Sequence, residues 1–275
     1  MAGVDTGRKK SRDGCIIPVD MNSLRTMALA ALLTGGAPAQ WLNLKTPNLP
    51  RTADGKPNLT APAPKLPDGK PDLSGVWDAD RSYLVNLAKD LKPEAVQMQP
   101  WAAAIYKERA AGLHAHEEPD ANCLPQGVPK IDAAPVPWKL IQMPNEVVIL
   151  YEAFTQFRQI HMDGRKLPVD PNPIWLGYSI GNWDGDTLVV ESNGFNGKAW
   201  LDQSGHPATE KLKVTEKFHR KDFGHMDLEI TIDDPGAYTK PWTVKESPTL
   251  AADTELLEFV CAENERDIKH MVTKK

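Results

Sequence analysis

The chain lacks the features that support several common function classes. None of its 275 residues fall in a long apolar run. A membrane-spanning helix needs roughly 18 or more such residues, so no membrane span is expected. Excess positive charge is also missing. The 32 Lys and Arg stand against 37 Asp and Glu, for a formal charge of −5, which removes the electrostatic footprint of a nucleic-acid binder. No C-x-x-C, no H-E-x-x-H and no glycine-rich phosphate loop occurs. Nicotinamide, nucleotide and structural-zinc readings therefore lack support, and no cofactor and no metal are expected. Cysteine is scarce, at three. The 41% hydrophobic content is nevertheless enough to bury a core.

Residues 21–40 read MNSLRTMALAALLTGGAPAQ. Arg25 gives a positive start, a short apolar run follows, and Ala37-Pro38-Ala39 closes it. That is the layout of a secretory signal cleaved after Ala39, with an amphipathic helix as the alternative. Residues 1–20 carry basic side chains without an apolar pattern, which a translation start at Met21 explains. The expected product is exported, periplasmic or extracellular. Loss of residues 1–40 removes Cys15 and leaves Cys123 and Cys261. Such a pair in an exported protein forms a disulfide, worth ~4–5 kcal/mol for so long a loop. Two buried thiols are the alternative.

Residues 41–72 are proline-rich, and DGKPNL (54–59) is nearly repeated as DGKPDL (68–73). An extended, surface-lying segment is expected there. Residues 73–275 are read as one β domain. Leu73-Ser74-Gly75-Val76-Trp77 resembles the first strand of lipocalin-like barrels, whose Trp plugs the barrel floor. A helical insertion near 93–112 follows, with Pro100 in the first turn of a helix and Gly112 ending it. From residue 138 the pattern has period two. Strands are expected over 146–152, 156–162, 174–183, 186–192, 212–220, 227–233, 242–246 and 255–261. Helical crossovers are absent after 112. The expected fold is a mainly β, antiparallel, lipocalin-like barrel of about 8–10 strands, since closure removes exposed edges.

Alternation over 212–220 sends Glu216 and Arg220 to the same side as Leu212, Val214 and Phe218. Buried charges need partners, so these two form an ion pair or face a wet cavity. The Asp184-Gly185 turn is expected to set Trp183 opposite Asp186 and Tyr178 opposite Glu191. A Tyr–Glu pair among aliphatics is a proton relay, a ligand-hydroxyl site, or a satisfied buried hydroxyl. Arg158 and His161 lie on opposite strand faces, and His161 is a candidate base or axial ligand. Gly177-Tyr178-Ser179-Ile180-Gly181 matches G-x-S-x-G, but a hairpin follows it, not the helix that a nucleophile elbow requires. His114, His116, Glu117, Glu118 and Asp120 read as a solvated loop. Trp175, Trp183, Phe218 and Trp242 are candidate walls of an aromatic cavity, with simple filling of a wide barrel as the alternative.

DGKPDLSGVW (68–77), NCLPQGVP (122–129), VVILYE (147–152), RQIHMDGR (158–165), GYSIGNWDGDTLVVESNGF (177–195), EKFHRKD (216–222), DPGAYTKPW (234–242) and EFVCAENERD (258–267) together resemble a large group of secreted, lipocalin-like bacterial proteins, abundant in acidobacteria and proteobacteria. The resemblance covers most of 51–267. It implies export, the barrel and a Cys123–Cys261 link, and it carries no catalytic residue with it. The first functional expectation is a barrel enclosing a small, partly apolar ligand. Glu216, Arg220, Tyr178 and Glu191 would be its polar contacts. The second is a lyase, isomerase or hydratase using Glu216 or Glu191 as base, with Tyr178 or Arg220 stabilising an oxyanion. The third is a structural envelope protein tethered by the proline-rich segment.

Overall fold

A computed structural model describes residues 44–261 and 263. The expected signal segment, Cys15 and the far C-terminus lie outside these residues. The described part is mainly β. Ten strands form one curled sheet: β1 (Gly75–Asp78), β2 (Trp138–Met143), β3 (Glu146–Tyr151), β4 (Gln156–His161), β5 (Tyr178–Asp184), β6 (Thr187–Asn193), β7 (Lys213–Arg220), β8 (Met226–Asp233), β9 (Trp242–Glu246) and β10 (Thr249–Leu250). Their order is β10-β1-β2-β3-β4-β5-β6-β7-β8-β9. The curl makes a half-barrel. Past the tight β9–β10 turn, β10 pairs with β1 and also bonds to the start of β8, through Leu250 N–H to the Gly224 carbonyl and Met226 N–H to the Pro248 carbonyl. Among the described residues no helix is long and apolar enough to cross a membrane.

Alternation decides the faces. In β7 every second residue from Val214 to Arg220 is buried, and the residues between are not. The inward residues of the strands join one apolar cluster with Tyr83 and Leu84 of α1 (Ser82–Val85), Leu87, and Ile131 and Ala133 of a 3-10 turn. The interior is therefore filled by the chain's own side chains. Trp77 and Trp138 lie there with ring centroids 6.4 Å apart. Each indole N–H is satisfied by a backbone carbonyl, of Leu73 and Asp132 respectively, as a buried donor requires. The expected helix is α2 (Pro100–Ala110), ended by Gly112 at φ +81°.

Four expectations are corrected. First, the sheet is not wholly antiparallel: β4 and β5 run parallel and pair only at Ile160–Ser179 and His161–Ile180. Second, the hairpin loop is Gly185-Asp186, with Asp184 opposite Thr187 and Trp183 opposite Leu188. Gly185, at φ +59°, takes the first central position of the loop and not the second; a primed turn with glycine first shifts the register from that of Asp-Gly in the loop. Tyr178 therefore faces Asn193, and Glu191 faces Ile180. Third, residues 255–261 are not a strand. They cross the β3–β4 connection, where Glu152 accepts from the Leu257 N–H and Thr155 Oγ1 donates to the Phe259 carbonyl. Both edges of β3 are already taken by β2 and β4. The Cys123–Cys261 disulfide fastens its end, with Cα atoms 5.6 Å apart.

Fourth, the proline-rich segment is not extended. Its repeat makes two similar β-loops, closed by Arg51–Pro57 and Lys65–Pro71 bridges. The Thr52–Lys56 and Asn58–Pro50 backbone bonds recur as Leu66–Lys70 and Asp72–Pro64. Each loop is anchored. Arg51 pairs with Asp253, and Lys65 and Lys70 reach Asp186 and the Gly185 carbonyl. The described part of the segment, 44–72, is strapped to the sheet.

Candidate functional site

Two polar regions compete as sites. The first lies inside the half-barrel. Arg158 points inward from β4 and reaches β5, β6 and β7. It donates to Ser179 Oγ at 3.0 Å, Ser192 Oγ at 2.9 Å and Glu216 Oε1 at 3.0 Å, and pairs with Glu216 Oε2 as well. Glu216 is 0% exposed. Burial works against the Arg158 charge, but the Glu216 carboxylate overrides it and holds the guanidinium above its ordinary value. Glu216 thus pairs with Arg158, not with Arg220. The Arg220 guanidinium donates to the Asp222 and Phe223 carbonyls and to those of Asp72 and Ser74, and lies over the Trp77 ring at 5.0 Å. Its burial lowers its pKa to about 10, against the raising pull of Asp72 and Asp222.

Two further carboxyl groups share the interior. Asp132 accepts from the Tyr151 hydroxyl at 2.7 Å. Burial first, and then the Glu216 charge, raise its pKa to about 7. Glu246 is 1% exposed, and among the described residues neither of its carboxyl oxygens has a hydrogen-bond partner. Its pKa rises to about 8, by burial first and then by repulsion from Asp132, Asp80 and Glu216. Alternation in β9, from Trp242 through Val244, already marks Glu246 as inward-facing. It is a buried group that sequence reasoning missed despite an available signal.

The second region is a cleft of about 480 Å³ between β4 and β5. Its apolar walls are Phe157, Ile174, Trp175 and Leu176, and His161 and Tyr178 are among its polar groups. The cause is local. Beyond the Ile160–Ser179 pair the two strands separate, because Gly177 turns the chain at φ +68°. A Cβ at Gly177 would lie 2.8 Å from both the Asn193 carbonyl oxygen and the Phe195 ring. Gly177→Ala is expected to cost about 1–2 kcal/mol from the left-handed backbone alone, and more from the clash. Urea unfolding checks this, and an unchanged midpoint would contradict it.

The expected site residues are therefore dispersed. Trp175, Tyr178 and His161 meet at the cleft. Tyr178 accepts from Arg165 at 2.8 Å, and its ring centroid is 5.1 Å from that of His161. His161 also has Glu146 at 3.8 Å. Glu191 is exposed on the outer face and does not meet Tyr178. Trp183 is half-buried under Lys70, 5.7 Å from the ring centroid. Phe218 and Trp242 belong to the packed interior, and Trp242 lies against Tyr238 and His206. The G-x-S-x-G serine is buried and hydrogen-bonded to Arg158 and Ser192, as its strand context implies. His114 is held by Glu117 and Glu108. Among the described residues no group of three or more His, Cys, Asp or Glu is arranged to hold a metal ion.

No family model matches the chain, and no curated protein and no solved structure matches it.

Proposed function

We propose that this chain is an exported binding module whose ligand, a small and partly apolar molecule, lodges in the cleft between β4 and β5. One observation carries the reading. The half-barrel interior is filled by side chains, whereas the cleft offers about 480 Å³ of space with an aromatic and aliphatic lining beside polar groups. Sites for small molecules have this composition. The location departs from the lumen of a lipocalin. A distant lipocalin-like origin, within the secreted group that the motifs resemble, is supported by the curled sheet and by the inward Trp77. Export is supported by the signal-like segment and by the Cys123–Cys261 disulfide, since disulfides persist in oxidising compartments.

Titration with the fluorescent dye anilinonaphthalene sulfonate tests the cleft. The native fold is expected to bind the dye. Trp175→Ala and Phe157→Ala, at partly exposed positions, are each expected to weaken binding about tenfold, as loss of an aromatic anchor does. Undiminished binding in both variants would place the dye elsewhere and refute the reading.

A further inference from the structure

The cleft has main-chain as well as side-chain chemistry. In the β3–β4 ladder, residues pair from Glu146–His161 to Tyr151–Gln156, and the Met162 N–H bonds to the Asn145 carbonyl. Antiparallel pairs alternate between hydrogen-bonded and non-bonded. With 145–162 bonded, the pairs 147–160, 149–158 and 151–156 are bonded too. The backbone groups of Phe157, Gln159 and His161 then point away from β3, toward β5. The two-pair parallel bridge takes up those of His161 and the Gln159 carbonyl. The Phe157 N–H and C=O and the Gln159 N–H are left facing the cleft. Among the described residues no strand pairs with them.

This is a strand edge inside a pocket. Open edges are usually blunted by charge, proline or a cover. Here the side chain at the edge is Phe157, 63% exposed, and Ile174 across the cleft is 49% exposed. Resting on the binding-module reading above, we infer that the ligand is an extended peptide that adds to β4 as a strand. Its backbone accepts from the Phe157 and Gln159 N–H groups and donates to the Phe157 carbonyl. A compact apolar molecule could fill the walls but would leave these groups unpaired. Another extended backbone presents donors and acceptors at the strand spacing of ~3.3 Å per residue. Alternate side chains of the peptide would face the cleft walls, next to Trp175 and Leu176, or the solvent. Selection would therefore favour apolar residues at every second position.

The test uses the full chain and a blocked pentapeptide of alternating valine and threonine, with a series in which each residue in turn is N-methylated. N-methylation removes one backbone donor and keeps the side chain. Calorimetric titration is expected to show binding of the parent peptide. Losses of about tenfold or more should fall on residues of one parity, with little change at the other. Equal losses at both parities, or none, would overturn strand addition. If the dye binds in the cleft and the peptide neither binds nor displaces it, this inference fails while the binding-module reading stands. If neither probe binds, both fail.

Discussion

Glu246→Gln is expected to stabilise the protein by on the order of 4 kcal/mol at pH 8–9 and to change little at pH 4–5. The native carboxyl is buried, has no hydrogen-bond partner among the described residues, and is pushed up by its burial from an ordinary 4.5 to about 8. A folded pKa above the unfolded one means that the native state holds its proton longer. Below about pH 4.5 both states are protonated and the group contributes no penalty. As pH rises from there to about 8 the unfolded state ionises first, so stability falls, and above 8 the loss is complete. Asp132 adds a similar fall between its ordinary 3.8 and about 7. Glutamine has the shape without the proton, so the variant should keep the Asp132 part of the slope and lose the Glu246 part. Urea denaturation across this pH range measures both curves. Parallel curves for the two proteins, or a variant weaker at pH 8, would show that Glu246 is ionised and paired in the native state.

Glu216→Ala is expected to cost about 3–5 kcal/mol, because it strands the buried Arg158 guanidinium. Arg158→Met is expected to cost a similar amount by leaving the Glu216 carboxylate alone. The double variant Arg158→Met with Glu216→Leu should recover much of the loss, since apolar replacements of a buried pair are often neutral. A double-mutant cycle by denaturant unfolding gives the coupling. Single losses below about 1 kcal/mol would mean that water reaches the pair, because exposed pairs are worth only that. Glu216 is held by Arg158 and Asp132 by Tyr151, and Tyr178 and Glu191 are on the other side of the sheet.

Period-two patterns carried much of the architecture. They located most of the strands and put Glu216, Arg220 and Phe218 inside, because alternation is a local property of the chain. The partner of Glu216 was not legible. Arg158 lies 58 positions away and meets it only because β5 and β6 intervene in the sheet. Residues 255–261 have a strand-like composition, but pairing needs a free edge, which depends on the whole topology. The cleft was the least legible feature. Trp175, Tyr178 and His161 each stand out in the sequence, yet what assembles them is the parallel β4–β5 contact and its early end at Gly177. A sequence of short strands without helical crossovers reads as uniformly antiparallel, and nothing in 162–177 announces the reversal.

Amide and indole chemical-shift mapping of the isotope-labelled protein during titration with the apolar dye tests the central claim most directly. Binding between β4 and β5 predicts that perturbations concentrate at Phe157, Gln159, Trp175 and Tyr178, while the indole signals of Trp77 and Trp138 stay fixed. Shifts centred instead on Trp77, Trp138 and Phe218 would put the ligand inside the half-barrel and contradict the account.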